Sequence, residues 1–305
     1  MSEVSGRQDR PAARKVIGFV LGLLLLGAAG WAIARSGGTI REAWSSARAQ
    51  PWLIVPAVLL PLANWVVVSL SFWVLMRRHG RIDVGEMTLL IGAAWLLNYL
   101  PLRAGMLGRV AYHRAVNKIA IADSVRVMVI NLACGAGATV GVVGLAAAMA
   151  ALRASAWGWA AALAAPALVL GVWSLTSARG SAVLGWRSWL PRVLLLRYAD
   201  VLIWVARYWV VFRLTGTPID LPASAAMAAA CQLALAVPLV GNGLGLREWA
   251  VGLTAAALPA ALAHGPMSTA QGLAADLANR AAEVAAALPV GLVSAWALAR
   301  RRRGQ

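Results

Sequence analysis

Long runs of apolar residues, separated by short polar segments rich in arginine, make up most of this chain. A helix of about twenty apolar residues crosses the ~30 Å hydrocarbon layer of a bilayer. Six runs have a suitable length, and we predict a transmembrane helix in each of them. They are residues 16–34, 52–76, 119–152, 157–175, 193–212 and 276–299.

Two further apolar runs, residues 86–100 and 222–240, end in a proline and glycines and are followed by an arginine. Backbone groups that leave a helix inside a bilayer find no water, so such breaks survive only against protein or a wet cavity. We therefore predict re-entrant hairpins over residues 86–116 and 222–262. If these open to opposite sides, the chain is an inverted repeat with halves 52–152 and 193–299. The alternative is that small-residue composition makes any two breaks look alike.

These patterns predict an all-α polytopic integral membrane protein with about six transmembrane helices and two re-entrant hairpins. The expected organisation is a polar tail (1–15), a single transmembrane domain (16–299) and a basic tail (300–305). Residues 32–34 have the A-x-A form of a signal-peptide cleavage site. The preceding apolar core is longer than the 7–15 residues typical of a signal peptide, which favours a first span.

The charge distribution fits a membrane protein rather than a nucleic-acid-binding one. Charged residues make up only 13% of the chain, against about 25% in soluble domains. The net charge is +17, and 19 of the 28 basic residues lie in segments that we predict to be cytoplasmic, with five outside. This bias follows the positive-inside rule. With its arginine-, alanine- and glycine-rich composition, the chain is expected in a bacterial inner membrane, both termini cytoplasmic, without a nucleic-acid partner.

No pattern for metal, redox or nucleotide chemistry is present. Cys134 and Cys231 lie in apolar runs without a CxxC partner, which is typical of structural thiols. His79, His113 and His264 are scattered, and no Walker or complete dinucleotide motif occurs. We therefore expect no cofactor, no metal and no enzymatic activity.

The two breaks provide most of the candidate substrate-binding and backbone-breaking residues. At the first break these are Asn98, Pro101, Arg103, Gly105 and Arg109. At the second they are Pro238, Gly241, Asn242, Gly243, Gly245, Arg247 and Glu248. Glycines let the backbone approach a ligand, helix N-termini favour anions, and arginine binds phosphate with a planar fork. The alternative, which we favour for Arg103, is an arginine that caps a helix or extends to the membrane interface.

The last span adds Asp276, Arg280 and Glu283, which share one helix face at spacings of four and three residues. Charges within a span cost ~2.5–3.5 kcal/mol each on insertion scales and usually face the protein interior. We expect Asp276 at the outer interface and Arg280 and Glu283 inside, either in a binding site or in a structural ion pair. For Asp200 and Arg207 we favour a structural role. The two breaks and Arg280 are expected to line one basic pocket.

Three motifs resemble those of the lysylphosphatidylglycerol synthase transmembrane-region family. They are Asn98-x-x-Pro101-x-Arg103-x-Gly105-x-x-x-Arg109, Gly241-x-Gly243-x-Gly245-x-Arg247-Glu248, and Arg280 followed by Pro289 and Gly291. The resemblance covers about residues 16–300. It implies the lipid-translocating part of that family, as in the flippase domain of the multiple peptide resistance factor, without the soluble aminoacyl-transferring domain. Met106 stands where the family usually has an acidic residue, so this chain lacks that carboxylate.

The favoured hypothesis is a transporter that moves an anionic, phosphate-bearing lipid or a polyprenyl-linked intermediate between leaflets. The alternative is a membrane subunit that anchors or feeds a separate lipid-modifying or glycosyl-transferring enzyme. A membrane-embedded transferase is the weakest hypothesis, because no convincing acid–base pair is present. Membrane lipids are the expected partners, and the chain could also assemble with copies of itself.

The charge bias makes the topology testable. We predict that single cysteines placed near each terminus will react with a membrane-impermeant thiol reagent only from the cytoplasmic side, because the arginine-rich tails resist translocation. A cysteine in place of Arg153, in a segment predicted to lie outside, serves as the opposite control. Labelling of either terminus from the outside would contradict this arrangement.

Overall fold

A computed structural model describes residues 10–100, 104–179, 185–237, 241–259 and 265–303 of the chain. These residues form α-helices and short 3₁₀ turns, with no strand among them. The helices are α1 (Arg10–Arg35), α2 (Thr39–Ala49), α3 (Ile54–Met76), α4 (Val84–Leu97), α5 (Ala104–Ala115), α6 (Ile121–Ala151), α7 (Ala156–Arg179), α8 (Trp186–Leu214), α9 (Leu221–Ala236), α10 (Leu246–Ala257) and α11 (Thr269–Arg303).

Four helical stretches are long and apolar enough to cross a membrane. They are Pro51–Met76, Ile121–Ala151, Trp157–Ser177 and Thr269–Arg301. A fifth crossing results if α1 and α2, which are bent by 84° at a short break, act as one span. The prediction of an all-α, multi-pass membrane protein is confirmed at this level. The sixth predicted span, residues 193–212, lies in α8, a helix of 29 residues whose charged side chains are spread along its length.

The structure corrects two boundaries that we expected from the sequence. Between the predicted spans 16–34 and 52–76 the sequence pattern predicts only a connection, but most of residues 35–50 form the helix α2. Ile40, Trp44 and Ala47 recur at helical spacing, and the hydrophobic pattern of a short amphipathic helix explains the difference. The last helix begins at Thr269 rather than near residue 276. The alanine-rich residues before 276 contain no proline and continue the helix without strain.

Helix α8 lies at the centre of the bundle and packs against α3, α6, α7, α9 and α11. Its buried side chains Tyr208 and Phe212 pack with Met227 of α9 and Val251 of α10 in the largest apolar cluster. By contrast, no residue in the apolar window of α7 is buried, so the side of that helix turned away from α8 is left for contacts with lipid.

The same succession of helix lengths occurs twice in the chain. Helices α3 to α6 are long, short, short and long, with 23, 14, 12 and 31 residues. Helices α8 to α11 repeat that order with 29, 16, 12 and 35 residues. The paired short helices coincide with the two predicted hairpins. An inverted repeat requires this recurrence, while the side from which each hairpin enters stays a prediction.

Glycines allow the short helices to approach α11 closely. A side chain at Gly92 of α4 would meet Ser294, and one at Gly291 of α11 would meet Leu96. The contact is therefore made reciprocally by one glycine on each helix. On α10, Gly252 is packed in the same way against α11. Close approach of this kind is a common means of helix association in membranes, where hydrophobic burial gives little driving force.

We predict that Gly291→Val lowers the unfolding midpoint in detergent, because the new side chain collides with Leu96. Overpacking of this kind typically costs ~1–3 kcal/mol. Gly137→Val is the matched control, since it adds the same side chain to a helix interior with no neighbouring atom within 4 Å. Equal losses in the two variants would show that the close α4–α11 contact does not contribute to stability.

Candidate functional site

A polar cavity of about 260 Å³ lies between α3, α4, α8 and α9. Its walls combine aromatic side chains with amides and charged groups. The polar residues from the first half of the chain are Asn64, Asn98 and Arg109. Those from the second half are Arg197, Asp200, Arg207, Gln232, Asn242 and Glu283. The cavity is therefore built jointly by the two halves.

Both predicted breaks reach this cavity. Asn98 and Arg109 come from the first break and Asn242 from the second. The prolines at the two breaks, Pro101 and Pro238, lie outside the described residues, as does Arg103.

Glycines shape the backbone at both breaks. A β-carbon on Gly105 would collide with the carbonyl oxygen of Ala94, so glycine permits the close crossing of α5 over α4. In the turn Gly241–Gly243, Asn242 has φ 46° and Gly243 has φ 63°. This left-handed conformation is easy for glycine and tolerated by asparagine. Gly245 follows with φ 78° and packs against the backbone of Gly22 in α1.

Glu283 is the acceptor that joins four helices beside the cavity. Its Oε2 atom accepts from Arg207 Nη2 on α8 and Arg247 Nη1 on α10, each at 2.9 Å. Its Oε1 atom accepts from Tyr99 Oη at 3.1 Å and Trp95 Nε1 at 3.4 Å. The side chain lies on α11 and is 4% exposed. Four donors satisfy this carboxylate away from water, as a buried charge requires.

Arg247 is fully buried and is engaged by carboxylates on the opposite helix. Besides Glu283, its Nε donates to Asp276 Oδ2 at 2.9 Å. Asp276 also accepts from Tyr208 Oη at 2.7 Å. Asp276, which we expected at the outer interface, is 0% exposed within the protein, because Arg247 supplies the partner that lets a carboxylate lie inside. We also expected Arg247 at the phosphate site, but it is absent from the residues that line the cavity.

Arg280 does not line the cavity either, in contrast to our expectation. Its Nε forms an ion pair with Glu248, which is itself fully buried. Its Nη2 also lies 3.4 Å from the carbonyl oxygen of Asn242 and 3.5 Å from that of Gly243. Arg280 thus satisfies backbone oxygens that the second break removes from helical hydrogen bonding. From α11, the residue that faces the cavity is Glu283.

The charges of this region balance. Four arginines and four carboxylates form the ion pairs at and behind the cavity: Arg197, Arg207, Arg247 and Arg280 with Asp200, Glu248, Asp276 and Glu283. Arg207 also donates to Asn64 and Asn279. A structural role for Asp200 and Arg207 was favoured from the sequence, and both are buried in these contacts.

Arg109 is not part of this set of ion pairs. Among the described residues no carboxylate lies within ion-pair distance of Arg109, and its guanidinium carbon lies 4.4 Å from the centre of the Phe72 ring. The ring face offers a cation–π contact but no negative charge to neutralise the arginine. The cavity therefore carries one uncompensated cation in its wall.

Sequence reasoning missed Asn64, Arg197 and Gln232 as cavity residues. Asn64 had a signal, because it is a lone amide within an apolar span, where polar groups usually face an interior site. Arg197 and Asp200 are three residues apart, which places them together on α8. Gln232 had no comparable signal, since its position opposite α6 depends on tertiary packing.

Comparisons of the chain with models of known families, with curated protein sequences and with solved structures found no match. Function is accordingly inferred from the geometry of the site. Within the described residues, no group of three or more His, Cys, Asp and Glu side chains is placed to hold a metal ion.

We predict that Glu283→Gln destabilises the protein, because Arg207 and Arg247 lose the carboxylate that they share. Removing one partner of a buried ion pair typically costs ~3–5 kcal/mol. Thermal unfolding of the purified protein in detergent measures the effect, with Glu42→Gln on the exposed face of α2 as the matched control. A Glu283 variant as stable as the control would contradict the structural role of the network.

Proposed function

We propose that this protein moves an anionic, phosphate-bearing lipid between the two leaflets of a bacterial inner membrane. The observation that carries the proposal is Arg109, a cation without a carboxylate partner among the described residues, in the wall of a polar cavity inside a membrane protein. A charge in such a place is expensive and usually marks a substrate path. Arginine stays protonated and matches phosphate with its planar fork of donors.

Unsatisfied amide groups support the same conclusion. Gln232 Nε2 and Asn242 Nδ2 are buried hydrogen-bond donors without a partner in the described protein. Both residues line the cavity together with Arg109. Buried donors are nearly always paired in proteins, so exceptions at a site require an explanation. The oxygens of a phosphate group would accept from these donors while the arginine neutralises the charge.

The motif resemblance to the lysylphosphatidylglycerol synthase transmembrane-region family points in the same direction, because it implies the lipid-translocating part of that family. The cavity residues Asn98, Arg109 and Asn242 all belong to the segments that carry the resemblance. Glu248 and Arg280 would act by holding the second break in shape rather than by touching the lipid. Arg247 would likewise act through Glu283.

The test is reconstitution into liposomes that contain a trace of phosphatidylglycerol labelled on an acyl chain. Reduction of the outer-leaflet label by dithionite then reports how fast lipid crosses. We predict that Arg109→Lys slows crossing by about tenfold, because lysine keeps the charge but loses the bidentate geometry.

Arg126→Lys is the matched control, since Arg126 is mostly exposed and pairs with Asp123 at the start of α6. This variant should cross lipid at the wild-type rate. A fully active Arg109→Lys protein would show that Arg109 acts only as an interfacial anchor. A wild-type protein that moves no anionic lipid would refute the proposed function.

A further inference from the structure

Two apolar grooves lie end to end along α6. The first, between α5 and α6, has a volume of about 860 Å³ and includes Val125, Val129 and Leu132 of α6. The second, between α6 and α9, has a volume of about 470 Å³ and extends from Leu132 to Gly144. We call them the α5–α6 groove and the α6–α9 groove. Each is flanked by a helix of a different hairpin.

The grooves meet each other and the polar cavity at Arg197. This arginine lines the α5–α6 groove, the α6–α9 groove and the cavity. Phe72 and Arg109 also lie between the cavity and the α5–α6 groove, and Gln232 lies between the cavity and the α6–α9 groove. The polar end of a molecule in either groove would therefore lie next to residues of the cavity wall.

Arg197 is positioned at this junction by its neighbours on α6 and α8. Its Nη1 contacts Asp200 Oδ2 at 2.9 Å, while its buried Nε finds no hydrogen-bond partner in the described protein. The guanidinium packs on the backbone of Gly135, where any β-carbon would collide with it. A glycine in the middle of α6 thus lets a charged group reach the wall shared by the two grooves.

The length of the combined grooves matches a membrane. The lining residues on α6 run from Ile121 to Gly144. At 1.5 Å per residue this stretch is about 35 Å long, close to the ~30 Å hydrocarbon layer. Away from the junction the walls are almost entirely apolar, and side chains such as Val129 and Val140 are more than half exposed. The grooves therefore offer a hydrocarbon surface across the bilayer, with polar groups near its middle.

We infer that the α5–α6 and α6–α9 grooves hold the acyl chains of the transported lipid while its head group crosses through the cavity at Arg109 and Arg197. This inference rests on the proposed function and specifies the path of the lipid and the size of its head group. The cavity of about 260 Å³ lies below the ~300–1,000 Å³ typical of ligand pockets. A phosphate or phosphoglycerol head group fits within this volume, whereas the head group of a polyprenyl-linked oligosaccharide is larger than the cavity.

Bulky residues within the grooves test the path. Val129→Trp fills the α5–α6 groove and Gly144→Trp fills the α6–α9 groove. Each should slow the crossing of acyl-labelled phosphatidylglycerol by about tenfold, because the tryptophan side chain occupies the groove that would hold the acyl chain. The matched controls are Val169→Trp on the lipid-facing helix α7 and Gly141→Trp on α6, both exposed and outside the two grooves. These controls should retain the wild-type rate within about twofold.

A second measurement separates the path from the function. Phosphatidylglycerol with a photoreactive acyl chain is cross-linked to the reconstituted protein, and the adducts are mapped by mass spectrometry. We expect adducts on residues 121–144 of α6, reduced in both groove variants and unchanged in the controls. Adducts spread equally over α6 and α7, or groove variants with wild-type crossing, would overturn the path while leaving transport intact. A wild-type protein that moves no lipid refutes transport, and α6-specific adducts would then still show lipid in the grooves.

Efficient crossing of a polyprenyl diphosphate oligosaccharide would overturn the size limit. The same liposomes, loaded with that lipid in place of phosphatidylglycerol, provide this comparison. We expect crossing no faster than in protein-free liposomes.

Discussion

Compensation of buried charge is the constraint on which this structure depends. Arg207 and Arg247 approach one another inside a membrane protein and share the carboxylate of Glu283. Without that carboxylate Arg207 would keep only its amide hydrogen-bond partners and Arg247 only Asp276, in an environment that solvates charge poorly. The resulting contacts connect α8, α10 and α11, and the bonds from Trp95 and Tyr99 add α4. Since lipid offers little hydrophobic driving force between helices, such polar contacts specify which helices meet.

The same network explains how an interrupted helix is stable inside a membrane protein. The turn at Asn242 and Gly243 removes backbone carbonyls from helical hydrogen bonding, and Arg280 lies within reach of both of them. Glu248 neutralises that arginine from the first turn of α10. The break is thus stabilised by charged groups that are themselves paired. The turn also places Asn242 in the cavity wall, where its buried amide nitrogen has no hydrogen-bond partner in the described protein.

Sequence patterns predicted the fold class because the apolar runs have the length that a bilayer demands. Proline, glycine and arginine at the breaks also identified Asn98, Arg109 and Asn242 as cavity residues. The pairing of the charges was not predictable in this way. Arg207 lies 76 residues from Glu283, and their contact follows from how α8 packs against α11. Arg247 and Arg280 look like ligand-binding residues in sequence, and their ion pairs with Asp276 and Glu248 become visible only in the structure.

Charge balance also supports the anionic head group that we propose for the cavity. The paired groups around it contribute no net charge, so Arg109 leaves the empty site with one positive charge. A head group with one negative charge makes the loaded site neutral, and a neutral assembly is the cheapest to hold within hydrocarbon. A zwitterionic head group leaves the excess in place, and a cationic one increases it. The preference for anionic lipid that we propose therefore rests on the same rule that pairs the charges of the core, applied to the cation in the cavity wall that has no carboxylate partner among the described residues.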